Sequence, residues 1–486
     1  MKVFEYEQVL KFQDKYDLVP ICKEIYADLT TPIVLLRRIA ASNDQYFLLE
    51  SVENGTQIGR YSFLGYAPEK RLYCKNGHVI CEEEGTVTEL GTEPLSVLKR
   101  ELKQYHAPKI EGMPPFTGGF TGYFSYELIG MKEPKLSLKE SEFPVYDLML
   151  FDQVIVFDHL MQKLLLIANV RMKDGKEGYE RALRQIEKME ELMYETAPLP
   201  QLEAQDSVTF TSNRTKEEFC QMVEQTKKYI YEGEIFQAVI SRRFEAEYKG
   251  SLLQAYRVMR SINPSPYMYM IKCKEIEIAG VSPETLVRLV DGTLTTFPVA
   301  GTRPRGASLA EDLALEKELL EDDKELAEHN MLVDLARNDI GRLSKFGTVE
   351  VQEYMQVHRF SKVMHIASVV TGQIEDDKDQ VDTIATVLPA GTLSGAPKFR
   401  ACEIIAELED DDRGVYAGAI GYLDFSGNLD VCIGIRTAVK KQDKVYVQAG
   451  AGIVADSVPE KEYEETYHKA RAVMEAIERA SEVNGR

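Results

Sequence analysis

Val445-Tyr446-Val447-Gln448-Ala449-Gly450-Ala451-Gly452-Ile453-Val454-Ala455 decides between two fold classes. An apolar run that opens into closely spaced glycines carries the letters of the dinucleotide fingerprint found in doubly wound parallel sheets. That fingerprint needs a second parallel strand and an acidic ribose ligand about 20 residues further on. Here a helical pattern fills 459–481 and leaves no room for the second strand. The glycines then mark a place where backbone approaches a ligand closely, their amides leading toward a helix N-terminus suited to a carboxylate.

Upstream, strand-type runs at 235–244, 293–298, 416–425 and 430–439 alternate irregularly with helical patterns near 308–336 and 397–409. Earlier still, 33–36, 46–49, 79–82 and 149–157 read as strands. Strand runs without a regular βαβ cadence predict an α+β fold with large, mostly antiparallel sheets. A helix over 172–196 is broken by Thr196-Ala-Pro198-Leu-Pro200, and the polar stretch through Asn213 reads as a linker. Thr215-Lys-Glu-Glu218 forms a capping box that opens the next helix, with Gly233 as its stop. This boundary divides the chain into regions 1–200 and 215–480.

Lys and Arg total 58 against 79 Asp and Glu, a formal charge of −21 over 486 residues. Such a balance excludes phosphate-backbone binding, which needs a basic face, and docking on anionic membranes. The seven cysteines are scattered and include no Cys-x-x-Cys, which predicts a reduced compartment rather than a disulfide framework. No apolar run is long enough to span a bilayer and the first residues lack a secretory signal, so the expected location is cytoplasmic. Tryptophan is absent.

Two carboxylate pairs stand three residues apart on helical patterns, Glu325 with Glu328 and Glu462 with Glu465. That spacing puts both members of a pair on one helix face, and Lys469 shares the face of Glu465. Four converging carboxylates suit Mg²⁺, although acidic helices more often carry such pairs as solvated faces. His365 lies in an apolar, strand-like run, where a single histidine is more often a core residue than a catalyst. Gly391-Thr-Leu-Ser-Gly-Ala-Pro-Lys398 lacks the ending of a phosphate loop and reads as a capped helix start with Pro397 in its first turn.

Four long segments then occur in a set order: Phe297-Pro-Val-Ala-Gly301-Thr302-Arg-Pro-Arg305-Gly, Glu328-His-Asn-Met-Leu-Val-Asp-Leu-Ala-Arg337-Asn-Asp339, the 391–398 segment, and Gln448-Ala-Gly-Ala-Gly452-Ile-Val-Ala-Asp-Ser457. Together they resemble the chorismate-utilising enzymes over 215–475, and the N-terminal region is similar to theirs as well. The resemblance implies two sheets packed in a sandwich with helices outside, a tryptophan-regulatory segment in 1–200 and a chorismate-binding domain in 215–480. Water-adding members carry a lysine where Glu234-Ile-Phe-Gln237 has Gln237, which favours ammonia as the nucleophile. Aminodeoxychorismate-forming members carry a lysine at the position of Ala300, so the anthranilate-forming branch is the nearer match. The alternatives are that aminodeoxychorismate-forming branch and a catalytically inactive, tryptophan-sensing subunit.

By the same resemblance, His365, Glu284, Gln237 and Thr392 are the catalytic residues, with Glu284 the acid near the departing hydroxyl. Gly301, Thr302, Tyr416, Arg436, Gly450, Gly452 and Lys469 contact the substrate. Glu328 and Glu465, supported by Glu325 and Glu462, hold Mg²⁺. Leu48-Leu49-Glu50-Ser51 and Asn263-Pro-Ser-Pro266-Tyr267-Met268 resemble the segments that bind feedback tryptophan, joined by Arg60, Ile420 and Tyr422 with Cys432 nearby. The chain shows no Cys-His-Glu glutaminase module. The resemblance therefore implies a glutamine amidotransferase partner in a heterodimer or heterotetramer.

Overall fold

Residues 149–157 are apolar almost throughout because they are not one strand. Tyr146–Phe151 and Gln153–Asp158 are buried at every position, and the chain turns at Asp152 from one sheet into another. The 430–439 run divides likewise into Leu429–Ile433 and Thr437–Lys441, with Arg436 at the corner in the left-handed region (φ 49°). A further crossing joins Ile276–Ser282 to Thr285–Val290 through Pro283-Glu284. The computed structural model describes residues 4–51, 59–195, 197–199, 202, 205, 207–359 and 363–484. Of the linker read over 196–213, residues 196, 200, 201, 203, 204 and 206 lie outside them.

Two 12-stranded sheets result, with antiparallel pairing. In the first, Gln45–Glu50 pairs with Tyr267–Cys273, which continues through Ile276–Ser282 and Thr437–Lys441 to Lys444–Ile453 and Gln237–Glu247. In the second, Gly119–Phe124 pairs with Ala419–Asp424, and Val363–Gln373 with Val299–Pro304 lies toward the other edge. Each half of the chain thus supplies strands to each sheet. The boundary near residue 200 is a break in sequence pattern, not a seam in space.

The sheets pack face to face on Phe47, Phe63, Phe116, Met149, Phe151, Tyr269, Ile420 and Cys432. Helices Pro32–Ser42, Gly175–Tyr194, Leu252–Ile262 and Pro459–Glu478 cover the outer face of the first sheet. Helices Pro94–Leu102, Asp323–Gly341, Gln380–Val387 and Lys398–Leu408 cover the second. This is the expected α+β sandwich with helices outside. Among the described residues, no helix is long and apolar enough to cross a membrane.

Three local readings change. Residues 33–36 belong to a helix, because Pro32 occupies its first turn and Thr31 Oγ1 accepts from Val34 N (3.3 Å), while Leu35, Leu36 and Ile39 are buried at helical spacing. The 308–336 pattern is two helices, Leu309–Glu321 and Asp323–Gly341, because the Asp322 side chain accepts from Lys324 N (3.1 Å) and Glu325 N (3.3 Å) and starts a new one. Gly450 and Gly452 lie inside Lys444–Ile453, paired with Ser241 and Val239, and not at a helix N-terminus. The capping box at Thr215 is present as read, with Glu218 N donating to Thr215 Oγ1 (3.2 Å) and Thr215 N to Glu218 Oε2 (2.8 Å).

Phe47 is completely buried between the sheets, its ring centroid 4.8 Å from that of Phe151. Phe47→Ala should therefore cost about 3–5 kcal/mol of stability, read from the urea unfolding midpoint.

Candidate active site

Glu284 occupies a sheet-to-sheet crossing, and its carbonyl accepts from Ile433 N (3.0 Å). Thr392, held in the 3-10 turn Gly391–Leu393, donates from Oγ1 to Glu284 Oε1 (2.8 Å). Burial pushes the Glu284 carboxyl up to about 7, against the Thr392 hydrogen bond and the charges of Lys469 and Arg436. Both residues line a cleft of about 490 Å³, open mouth included, whose walls also comprise Phe297, Pro298, Leu332, Leu335 and Ile433.

A bulge between Ala300 and Thr302 brings Thr302 opposite His365 on the neighbouring strand. Gly301 sits in that bulge at φ 67°, and a Cβ there would lie 3.0 Å from Leu319 Cδ1 and 3.2 Å from Glu325 Oε2. Its carbonyl oxygen is 3.0 Å from His365 Nδ1, and Thr302 Oγ1 is also 3.0 Å away. A carbonyl can only accept, so Nδ1 carries the proton and Nε2 is the acceptor nitrogen of the ring. Burial lowers the His365 pKa, the nearby Arg436 charge adds to this and the Gly301 bond opposes it, which keeps the imidazole neutral near pH 7.

Arg436 makes no side-chain hydrogen bond or ion pair to the described residues. Its main neighbour in charge is Glu284, and burial lowers its pKa. An unpaired guanidinium in so acidic a chain is available to an anionic ligand. Lys469 bridges Glu465 Oε1 (2.6 Å) and the Gly450 carbonyl (3.1 Å). A Cβ on Gly450 would meet the Tyr416 hydroxyl at 2.7 Å, and one on Gly452 would meet Gln237 Nε2 at 2.6 Å. The buried Gln237 Oε1 accepts no hydrogen bond from the described residues.

The two carboxylate-bearing helices converge electrostatically. Burial raises the Glu328 pKa, the charges of Glu325 and Glu465 add to the rise, and Lys324 and Lys469 oppose it. Burial also raises Glu462, with Glu465 adding to it. Glu325 is partly committed to Arg303 Nη1 (3.3 Å). Among the described residues, no three His, Cys, Asp or Glu side chains form a closed metal cluster. Carboxylates that repel one another across two helices do fit a divalent ion that keeps several waters, as Mg²⁺ does.

Sequence reading missed the support beneath this site. Arg413 is fully enclosed and donates to Glu409 Oε1 (2.7 Å) and Oε2 (2.8 Å), Leu393 O (2.8 Å) and Val239 O (2.7 Å), while Glu409 Oε1 accepts from Ser241 N (2.7 Å). These bonds fix the turn bearing Thr392 against the strand bearing Gln237. The Glu409/Arg413 spacing of four was the one available signal, and it sits in an acidic stretch that resembles a solvated surface.

The residues read as a tryptophan site lie around the strand pair Gln45–Glu50 and Tyr267–Cys273. Glu50 stands opposite Met268, and its buried carboxylate accepts from Tyr256 Oη (2.5 Å) and Arg260 Nη2 (2.9 Å). Burial raises its pKa. The buried Ser51 Oγ has no hydrogen-bond partner among the described residues. Pro266 and Tyr267 adjoin Met268; Tyr267 packs with Ile420 and Tyr422 between the sheets, whereas Met268 packs on the outer face of the first sheet. The Tyr422 ring lies 5.8 Å from that of Phe63 and 4.4 Å from that of Phe116. Arg60 is held by Asp158 (2.6 Å) over the Tyr61 ring.

Residues 44–475 match the family model described as chorismate binding enzyme. The chain is 47% identical over 479 residues to anthranilate synthase component 1 of Acetivibrio thermocellus, covering 96% of this chain and 97% of that one. It therefore belongs to the chorismate-binding enzymes and, within them, to the anthranilate synthase component 1 family. The crystal structure of anthranilate synthase component I from Streptococcus pneumoniae superposes with a TM-score of 0.77 at 36% identity, covering 92% of this chain and 98% of that one. The menaquinone-specific isochorismate synthase of Escherichia coli shares the fold (TM-score 0.70, 20% identity, covering 97% and 98%).

Gly452→Ala places a methyl group against Gln237. Turnover of chorismate should fall about tenfold or more, the rate equivalent of roughly 1.4 kcal/mol, with an unchanged melting temperature. Steady-state kinetics beside a thermal melt checks this.

Proposed function

We propose that this chain converts chorismate and ammonia to anthranilate, pyruvate and water, with Mg²⁺ as cofactor and tryptophan as feedback inhibitor. The observation that carries the reading is the pairing of Glu284, a carboxyl group kept protonated near neutral pH, with Thr392 at the edge of a cleft. Arg436 and Lys469 lie close enough to act on its charge.

Ammonia attacks ring carbon 2 as the carbon-4 hydroxyl departs. Glu284 protonates that leaving oxygen, which a carboxylic acid does only where its pKa is raised toward the working pH. Neutral His365, with its Nδ1 proton held by Gly301, presents Nε2 to take the carbon-2 proton as the enolpyruvyl group leaves and the ring aromatises. The Gln237 carbonyl oxygen accepts an N–H of the incoming ammonia, a role for which a glutamine has no need to act as a base. Arg436 takes a carboxylate of the substrate bidentately.

Glu328 and Glu465, with Glu325 and Glu462 behind them, would hold Mg²⁺. When bound, the ion anchors the ring carboxylate and draws electron density from the attacked diene. Chorismate is a dianion and the chain is strongly acidic, so positive charge within the site is what makes binding favourable.

Ammonia is scarce as the free base at neutral pH, so a glutamine amidotransferase subunit supplies it in the assembled enzyme. The relatives' designation as component 1 supports a multi-subunit assembly. Tryptophan sits beside Tyr267, Ile420 and Tyr422, with Glu50 and Met268 on the other face of the same strands, and the Ser51 Oγ, without a hydrogen-bond partner among the described residues, supplies a hydrogen-bonding group. The reaction belongs to the cytoplasm, where its thiols stay reduced.

The purified chain with chorismate and ammonium salts should yield fluorescent anthranilate, lose that activity in EDTA, be inhibited by tryptophan, and fail with glutamine alone. A hydroxylated or 4-amino product would overturn the reading. At constant free ammonia, the rate should fall as pH rises above about 7, because Glu284 then loses its proton. Thr392→Val removes a bond that holds this pKa down, so the falling limb should move to higher pH.

A further inference from the structure

Tyr267 belongs to the first sheet and to the regulatory group, yet its hydroxyl reaches the second sheet. It donates to Asp430 Oδ1 (2.8 Å) on Leu429–Ile433 and accepts from Thr285 Oγ1 (3.1 Å). Asp430 is in turn paired with Arg288 (3.3 Å) on the strand that Thr285 begins. Thr285 is the residue after Glu284 and lines the same catalytic cleft.

These contacts straddle the crossing on which Glu284 sits. On one side, the Tyr267 backbone pairs with Ser282, the last residue of the first-sheet strand. On the other, Thr285 pairs with Cys432 in the second sheet. The Tyr267–Thr285 bond therefore closes a short loop around Pro283-Glu284, and the position of Glu284 depends on the spacing of the two sheets there. Of the residues read as the tryptophan site, Tyr267, Ile420 and Tyr422 lie between the same sheets, whereas Glu50 and Met268 turn to the outer face of the first sheet, where Glu50 meets Tyr256 and Arg260.

We propose that the Thr285–Tyr267–Asp430 hydrogen-bond chain positions the acid Glu284 and is the contact through which tryptophan alters it. The inference rests on the reading of tryptophan as effector given above. A ligand entering between the sheets changes their separation at Tyr267, the hydroxyl bridge carries that change to Thr285, and Glu284 moves relative to Thr392 and the substrate. Tyr267 and Thr285 are thus positioning residues. The coupling is the difference in tryptophan affinity between two arrangements of this bridge, a quantity that in coupled sites amounts to a factor of about 5–150.

The absence of tryptophan from the chain makes the test direct, because the fluorescence of added tryptophan reports its binding without protein background. Tryptophan binding, and inhibition of ammonium-driven turnover relative to each protein's own uninhibited rate, are to be measured for wild type, Tyr267→Phe, Thr285→Val and Thr285→Ser. The melting temperature of each is recorded alongside. In Thr285→Val the tryptophan dissociation constant should stay within a factor of about three of wild type, while inhibition at saturating tryptophan drops from near complete to partial. Tyr267→Phe should show the same loss of maximal inhibition. Thr285→Ser keeps the hydroxyl and should be inhibited as wild type is. Full inhibition of Thr285→Val at saturation, or equal loss in Thr285→Ser, would overturn the bridge. Failure of wild type to bind tryptophan would instead overturn the effector reading itself.

Discussion

Glu284 stands where the chain leaves one sheet for the other, and the rest of the molecule is arranged around that covalent crossing. A carboxyl group with a pKa near 7 needs a place dry enough to disfavour its charge, yet close to cations that bind the substrate. A crossing between two packed sheets provides both. The strands on either side are buried, while the corner itself faces the cleft, where Thr392 and the charges of Arg436 and Lys469 act on it. Arg436 occupies a second such corner, between Leu429–Ile433 and Thr437–Lys441, in a backbone conformation that a non-glycine residue rarely adopts. The groups proposed as acid and anion receptor are therefore placed by the same architectural device.

Electrostatics explains the remainder of the site. The surface is strongly acidic, and Arg303, Arg305 and Arg413 are each neutralised by a carboxylate partner. Arg436 is left out of that pairing. Burial raises the proton affinity of Glu328 and Glu462, and the charge of Glu465 adds to both, which is an arrangement a cation would relieve. The carboxylates proposed to hold a metal lie on two helices and Arg436, proposed to receive the substrate, on a strand corner, while Lys469 pairs with Glu465 on one helix.

The merging of the two chain halves has a functional consequence. The proposed regulatory and catalytic groups are not in separately folded units joined by a hinge. They share sheets, since Gln45–Glu50 of the N-terminal half pairs with Tyr267–Cys273 in the sheet that also holds Gln237–Glu247, and Ala419–Asp424 lies in the sheet of Val363–Gln373. A packed sandwich does not deform continuously, so a ligand between its sheets acts on the groups that span them.

Local chemistry was legible without the fold. The Thr215 capping box, the helix start after Pro397, the i, i+3 carboxylates and the ordered motifs around Gly301, Glu328, Thr392 and Gly452 are patterns within a few residues, and the structure contains them. The fold class followed as well, because helical periodicity after Gly452 excludes a second parallel strand. What the sequence by itself left undetermined was everything that depends on which sheet a strand joins. An apolar run such as 149–157 has the same composition whether it stays in one sheet or turns at Asp152, since burial on both faces removes the alternation that would mark the corner. The helix at Pro32–Ser42 was misread because a short apolar run such as 33–36 suits a strand and a helix turn equally, and the glycines of 450–452 were assigned to a helix entrance although they lie in a paired strand. The bonds of Arg413 to Leu393 and Val239, the closeness of Tyr267 to Thr285 and the pairing of Thr392 with Glu284 join residues 18 to 174 positions apart. Those contacts are set by sheet order, and only the tertiary structure decides that order.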